Sequence, residues 1–290
     1  MTCKEWIIGT VTDKVELIGN SLIQHGKEND RVYLMNLSKE DHANIVCLME
    51  NLAQNNGYSK IVAKIHASLK DYFIAKGFTD EACIENFFKG KENCLFLSKY
   101  YTSRRRKLTK IDDNEIYEIM KLCEEKVPSA KTPKLKEDFC IKSLNEKHVS
   151  QITEVYGKTF KSYPFPIFNP DYILKTMEEN VDYWGVFKGD KLAALSSSEM
   201  DLGNLNTEMT DFATLPEYRG NNLSYHLLEK MEKSAKAKGI KTAYTIARSK
   251  NAGINIIFAK RFYKFGGILI NNTNICGNIQ SMNVWYKTIN

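Results

Sequence analysis

Several features that would settle a fold class at once are missing from this sequence of 290 residues. Its seven cysteines (Cys3, Cys47, Cys83, Cys94, Cys123, Cys140 and Cys276) are odd in number, and no two stand at a Cys-x-x-Cys spacing. That excludes a disulfide framework or a structural zinc site as the organising principle, and reduced thiols with no metal are expected. No apolar run approaches the roughly 20 residues that span a bilayer, so no membrane partner is expected. The start, Met1-Thr2-Cys3-Lys4-Glu5-Trp6, lacks a signal-peptide layout, which makes a cytoplasmic location the expectation. Proline is scarce, glycine is modest, and no tract is biased enough to read as disordered.

What is present is an ordinary globular composition, 43% hydrophobic and 26% charged, in a chain long enough for one large domain or two smaller ones. The single dense basic run is Arg104-Arg105-Arg106-Lys107. It reads as a solvated edge at a domain boundary, so no nucleic-acid partner is expected. A break follows. Lys126-Val127-Pro128-Ser129-Ala130-Lys131-Thr132-Pro133-Lys134 combines two prolines with small and basic residues after a helix-like segment, Ile116 to Cys123. The expected organisation is an N-terminal α/β domain at 1–125, a linker at 126–137 and a second domain at 138–290.

Downstream of the break, strand and helix patterns alternate. Strands are expected near 138–144, 183–188, 191–200, 208–215, 242–247, 268–276 and 280–287. Helices are expected at about 146–160, from Asn169-Pro170, at 223–238 and at 252–265. The N-terminal part echoes the end of this order, with a strand at 60–65, a helix up to Gly77-Phe78 and two further strands. This reads as one strand–helix–strand–strand unit occurring twice, the first copy without the motif described next, with chance similarity of two α/β segments as the other reading.

The most informative segment is Asp211-Phe212-Ala213-Thr214-Leu215-Pro216-Glu217-Tyr218-Arg219-Gly220-Asn221-Asn222-Leu223-Ser224, where a strand ends, a polar turn follows and a long helix begins. The first amides of a helix lack intrahelical acceptors and lie at its positive end, a ready site for a pyrophosphate. Arg219 adds a charge-assisted donor, and Gly220 with Asn221 and Asn222 allows positive φ. The mild positive net charge suits a phosphate-rich cofactor.

This segment resembles the signature of the GNAT N-acetyltransferase superfamily, Gln/Arg-x-x-Gly-x-Gly/Ala after a strand. Asn222 stands where glycine is usual and Ser224 where Gly or Ala is usual. Asn255-x-x-x-Ala259-x-x-x-Tyr263-x-x-Gly266 resembles the family's next helix. The resemblance covers about 138–287. It implies an α/β (α+β) GNAT fold, a mixed and mostly antiparallel central sheet flanked by helices, and the repeated unit makes the N-terminal domain a candidate degenerate copy. It implies acetyl-CoA as acetyl donor, Asn255 on the cofactor arm, Tyr263 protonating the departing thiolate, and the backbone around Phe212, Ala213 and Thr214 holding the acetyl carbonyl.

The acceptor amine must lose a proton before it attacks, since only about 0.1% of a lysine-type amine is neutral at pH 7.4. Glu199, Asp201, Glu208 and Asp211 are expected beside the acceptor cleft, with Asp211 and Glu199 as catalytic and amine-contacting candidates. Period-two alternation would put Asp211 and Ala213 on one face and Thr210, Phe212 and Thr214 on the other. Residues 208–220, the ending 277–287, Lys60 to Lys64 and Gly77-Phe78-Thr79-Asp80-Glu81-Ala82 are similar to those of the β-lysine N-acetyltransferases. That likeness implies a small-molecule amine substrate, β-lysine, made by lysine 2,3-aminomutase, and a compatible-solute product. Tyr163, Glu208, Ser281 and Asn283 are the candidate substrate contacts, in a monomer or homodimer. Another amine acceptor, or an acetyl-CoA-binding module without catalysis, stands as the alternative.

Overall fold

A computed structural model describes residues 12–125 and 133–289, so most of the expected linker lies outside the described residues. The N-terminal half runs β1 (Lys14–Ile18), β2 (Ser21–Gly26), β3 (Arg31–Asn36), α1 (Ile45–Asn56), β4 (Lys60–His66), α2 (Lys70–Ala75), β5 (Thr79–Phe88), β6 (Glu92–Tyr100), α3 (Ser103–Arg106) and α4 (Lys110–Glu125). The C-terminal half runs β7 (Phe139–Leu144), α5 (Val149–Thr159), α6 (Pro170–Glu178), β8 (Val181–Lys188), β9 (Lys191–Asp201), β10 (Asn206–Thr214), α7 (Leu223–Ala237), β11 (Thr242–Arg248), α8 (Ala252–Lys260), β12 (Lys264–Ile275) and β13 (Asn278–Thr288). The second half follows the expected order of elements, whereas β1 to β3 and α1 were not foreseen.

All the strands form one sheet, ordered β1-β2-β3-β4-β6-β5-β12-β13-β11-β10-β9-β8-β7. Only β3–β4 and β10–β11 pair in parallel, each across one helix, α1 or α7. The order β1-β2-β3-β4-β6-β5 in one half matches β8-β9-β10-β11-β13-β12 in the other. The halves meet where Ala82 of β5 faces Gly267 of β12. A side chain at 267 would stand 2.2 Å from the Glu81 carbonyl at φ +136°, so only glycine allows this approach. Buried polar bonds reinforce the seam. Lys60 Nζ reaches Glu81 Oε2 at 2.9 Å and the Ile270 carbonyl at 2.8 Å.

Helices cover both faces of the C-terminal half. On one, Leu227, Leu228 and Met231 of α7 bury against Met209 and Ala193. On the other, Ile152, Tyr156 and Ile173 of α5 and α6 pack on Leu195 and Ala213. Leucines and methionine three and four apart supply the α7 stripe. In the N-terminal half β4 alternates cleanly. Ile61, Ala63 and Ile65 enter the core beneath α1, while Val62 joins a second core with Tyr244 and Met282.

Two local expectations are corrected. The basic run is not wholly solvated, because Arg105 is buried and its guanidinium donates to the Asn29 carbonyl at 2.6 Å and to Asp30 at 3.3 Å. Helix α8 stops at Lys260 rather than running to 265. Phe262 takes φ 65°, and the Tyr263 amide bonds the Phe258 carbonyl at 3.1 Å, a left-handed stop made without glycine.

Candidate active site

Strand β10 is bulged. Thr210 faces Ser197 and Ala213 faces Leu195, so two residues of β10, Asp211 and Phe212, oppose one of β9. Asp211 takes φ 54° to make the extra step. The bulge exchanges the two faces of the strand: Met209 enters the α7 core, but Ala213, four residues on, enters the α5–α6 core. Simple alternation therefore fails here, and Thr210 lies with Asp211, its hydroxyl 3.3 Å from Oδ1.

The parallel pairing of β10 with β11 ends at Glu208 and Tyr244. Beyond that point the strands part, and a crevice of about 780 Å³ opens between Thr210–Thr214 and Thr245–Arg248. The Leu215 amide reaches Ala193 of β9 at 3.0 Å, so alternation turns the amides of Phe212 and Thr214 toward the open side. Phe212, Ile246, Ile254 and Ile257 give the crevice an apolar middle.

At its far end stands the N-terminus of α7. Gly220 is at φ 80° and Asn222 at φ 55°, and Asn222 places no side-chain cap on the first turn. Asn221 holds the turn through Nδ2 to the Tyr218 carbonyl, 2.9 Å. The amides of Leu223 and Ser224 are left facing the crevice, with Arg219 and Lys260 on its walls. These groups fit a pyrophosphate, and the apolar middle with free strand amides fits an extended thioester arm.

Asp211 closes the inner end. Its Oδ1 accepts from the Tyr163 hydroxyl at 2.5 Å and its Oδ2 from the Ser197 hydroxyl at 2.6 Å. Burial pushes the carboxyl above the usual aspartate range, against the lowering effect of the Ser197, Tyr163 and Thr210 hydroxyls. Tyr163 itself is held protonated by burial and by Asp211, so it acts as a donor.

Asp211 also lines a second cavity of about 540 Å³ on the α5–α6 side, with Tyr172, Tyr183, Glu199, Asp201 and Tyr244. Glu199 and Glu208 face each other directly across β9 and β10. Burial raises both carboxyls; for Glu199 the charges of Asp211 and Glu208 add to it, and for Glu208 Lys64 opposes it. Glu199 opens onto the cavity, and Glu208 is half-buried behind it. Of the four carboxylates singled out from sequence, Glu199, Asp201 and Asp211 line this space, while Glu208 stands beside Glu199 without lining it. Among the described residues no group of His, Cys, Asp and Glu could hold a metal ion.

The remaining candidates divide. Phe212, Thr214 and Arg219 to Ser224 line the crevice, while the Ala213 side chain points into the core. Asn255 does not reach the crevice. It is fully buried, its amide donates to the carbonyls of Asn251 (2.8 Å) and Arg248 (2.9 Å), and its oxygen accepts from Trp285 Nε1 (2.8 Å) and Asn283 Nδ2 (2.9 Å). Asn283 is consumed in that network, and Ser281 caps the Asn271 amide at 2.9 Å in a neighbouring hollow. Tyr263 is also displaced from its expected place. Leaving the helix at Lys260 turns its ring into the α7 core against Phe258, and Glu232 is the charge beside its hydroxyl. Sequence reasoning missed Ser197, Tyr172, Tyr183 and Lys64. The signal for Ser197 was Ser196-Ser197-Ser198 directly after the apolar run Leu192 to Leu195.

Comparison with known proteins agrees with this geometry. Residues 148–266 match the acetyltransferase (GNAT) family. The chain is 39% identical over 275 residues to the β-lysine N(6)-acetyltransferase of Methanococcus maripaludis, covering 95% of this chain and 98% of that one. It is 28% identical over 261 residues to the protein of the same name from Methanosarcina mazei, covering 83% and 95%. It is 31% identical over 212 residues to the N-acetyltransferase YodP of Bacillus subtilis, covering 73% and 76%. The chain belongs to the acetyltransferase (GNAT) family and is an N-acetyltransferase whose acetyl donor is acetyl-CoA.

Proposed function

We propose that the protein acetylates the ε-amine of β-lysine (3,6-diaminohexanoate) to give Nε-acetyl-β-lysine, a zwitterionic compatible solute. One observation carries this reading: the donor crevice and the acid-lined cavity share a single residue, Asp211. An amine entering from the acidic side arrives beside Asp211, and the thioester enters from the other side. Two relatives named β-lysine N(6)-acetyltransferase support the choice of amine.

In this reading Asp211 accepts a proton from the incoming ammonium, so that the neutral amine attacks the thioester carbonyl directly. The N–C bond forms, the C–S bond breaks, and the second proton shed by the nitrogen neutralises the departing thiolate. A carboxyl raised by burial suits a base working near neutral pH, and positioned bases of this kind contribute roughly 10²–10⁴-fold. Tyr163 and Ser197 hold the carboxylate in place. The amides of Phe212 and Thr214 polarise the carbonyl, as an oxyanion site does. Arg219 and the α7 amides hold the donor's phosphates. Glu199 and Glu208 draw the dication in and balance its second ammonium.

We also read residues 1–125 as a degenerate copy of the 138–290 domain, on the strength of the repeated strand order. The substrate assignment is tested by mass spectrometry after incubation with acetyl-CoA and β-lysine, with α-lysine and spermidine as controls. Acetylation of β-lysine at the ε-nitrogen, in preference to both controls, is expected. Equal or better turnover of either control would overturn the assignment.

A further inference from the structure

The wall of the acceptor cavity is not built by the C-terminal half alone. Val15, Met35 and Lys64 of the N-terminal half line it, opposite Glu199, Asp201 and Asp211. Lys64 lies on the face of β4 opposite Ile61, Ala63 and Ile65, which are buried beneath α1. The same alternation that buries those three residues turns the lysine into the space between the halves. Its surroundings are the aromatic ring of Phe87 at 5.9 Å and the charges or dipoles of Tyr33, Cys94, Glu208 and Asp201.

Two cations line this cavity among the described residues, Lys64 and Lys175. Lys175 is mostly exposed and is paired with Glu179 at 3.6 Å. Among the described residues Lys64 makes no ion pair, although the charges of Glu208 and Asp201 act on it across the space. The charges of Glu208 and Asp201 keep Lys64 an ammonium without touching it, so its donors stay open to an anion that enters the cavity. A substrate made only of amines would bring no such anion, and would meet Lys64 as a repulsive charge. An amino acid carries one.

We infer that Lys64 is the carboxylate-recognising residue of the acceptor site, so that the N-terminal half sets selectivity for a diamino acid over a diamine. The inference rests on the function proposed above. The substrate then lies across the cavity with its reacting amine at Asp211, its second ammonium near Glu199 and its carboxylate at Lys64. Like-charge contact with Lys64 works against polyamines in the same site.

The test compares β-lysine with 1,4-diaminopentane, which is β-lysine with hydrogen in place of the carboxylate. In the full-length enzyme, Lys64→Met is expected to raise KM for β-lysine about tenfold or more with kcat little changed, as loss of a charge-assisted hydrogen bond does. The same variant should leave 1,4-diaminopentane turnover unchanged or improved, which also reports that it is folded. Lys64→Arg should recover part of the preference for β-lysine. If Lys64→Met is not soluble, Lys64→Gln keeps a polar end at the wall and is held to the same expectation. Equal losses on both substrates, or an unchanged KM for β-lysine, would overturn the role of Lys64 alone. Failure of the wild-type enzyme to turn over β-lysine would overturn the proposed function and this inference with it.

Discussion

Replacement of Asn255 by alanine separates a structural from a cofactor-binding role. The side chain ties the start of α8 to the end of β11 through the carbonyls of Asn251 and Arg248, and to β13 through Trp285 Nε1 and Asn283 Nδ2. Removing it leaves the indole N–H without an acceptor, and leaves Asn283 Nδ2 only the weak thioether of Met120 at 3.3 Å. The Asn251 carbonyl still receives the backbone amide of residue 255. Two buried donors losing their partners cost about 1–3 kcal/mol each, so about 2–6 kcal/mol in all. For a chain of this size each kcal/mol lowers the unfolding midpoint by about 2–4 °C, which predicts a fall of about 5–20 °C. Thermal unfolding without ligand measures it directly. KM for acetyl-CoA, taken well below the midpoint, should stay within about twofold of wild type, because no atom of Asn255 faces the crevice. An unchanged midpoint together with a large rise in that KM would refute this account and place Asn255 on the cofactor arm.

Two further outcomes follow from charges held close together. Glu199 binds its proton more tightly in the folded protein than in the unfolded chain, so its contribution to stability is full below the unfolded pKa and is lost as pH rises through the folded one. Glu199→Gln should therefore match wild type in unfolding midpoint near pH 4 and exceed it near pH 8, whereas parallel curves would count against the crowding of carboxylates around Asp211. Lys60→Met leaves Glu81 buried at the seam of the two halves without its ammonium, and should cost about 3–5 kcal/mol in urea unfolding. Adding Glu81→Leu should recover much of that loss, and no recovery would argue that Lys60 matters through packing alone.

Much of the C-terminal half was legible in the sequence because its signals are local. Asn169-Pro170 starts α6, with the Asn169 side chain accepting from the Asp171 amide at 2.8 Å. The Leu227, Leu228 and Met231 stripe marks α7, and Gly220 with Asn222 supplies the left-handed turn before it. What escaped has causes that are not local. The bulge at Asp211 carries no glycine to announce it, so the face of Thr210 was assigned to the wrong side. Strand β1 is exposed along nearly its whole length and offers no alternation to read. Helix α8 ends at Lys260, and Phe262 just beyond it is an aromatic in a conformation that usually calls for glycine, which displaces Tyr263 from the crevice. The acidic cluster was visible on β9 and β10, but the lysine that lines the same cavity comes from β4, seven strand positions from β9 in the sheet, and no local signal joins the two.

In the proposed reaction Asp211 is the point where amine and thioester meet. The decisive measurement is kcat/KM for β-lysine against pH in wild type and Asp211→Asn, with acetyl-CoA binding measured alongside. Loss of about 10²-fold or more near pH 7.4 is predicted, with acetyl-CoA affinity retained and the acid limb of the wild-type profile abolished. An Asp211→Asn enzyme that keeps wild-type kcat/KM and the wild-type acid limb would contradict it.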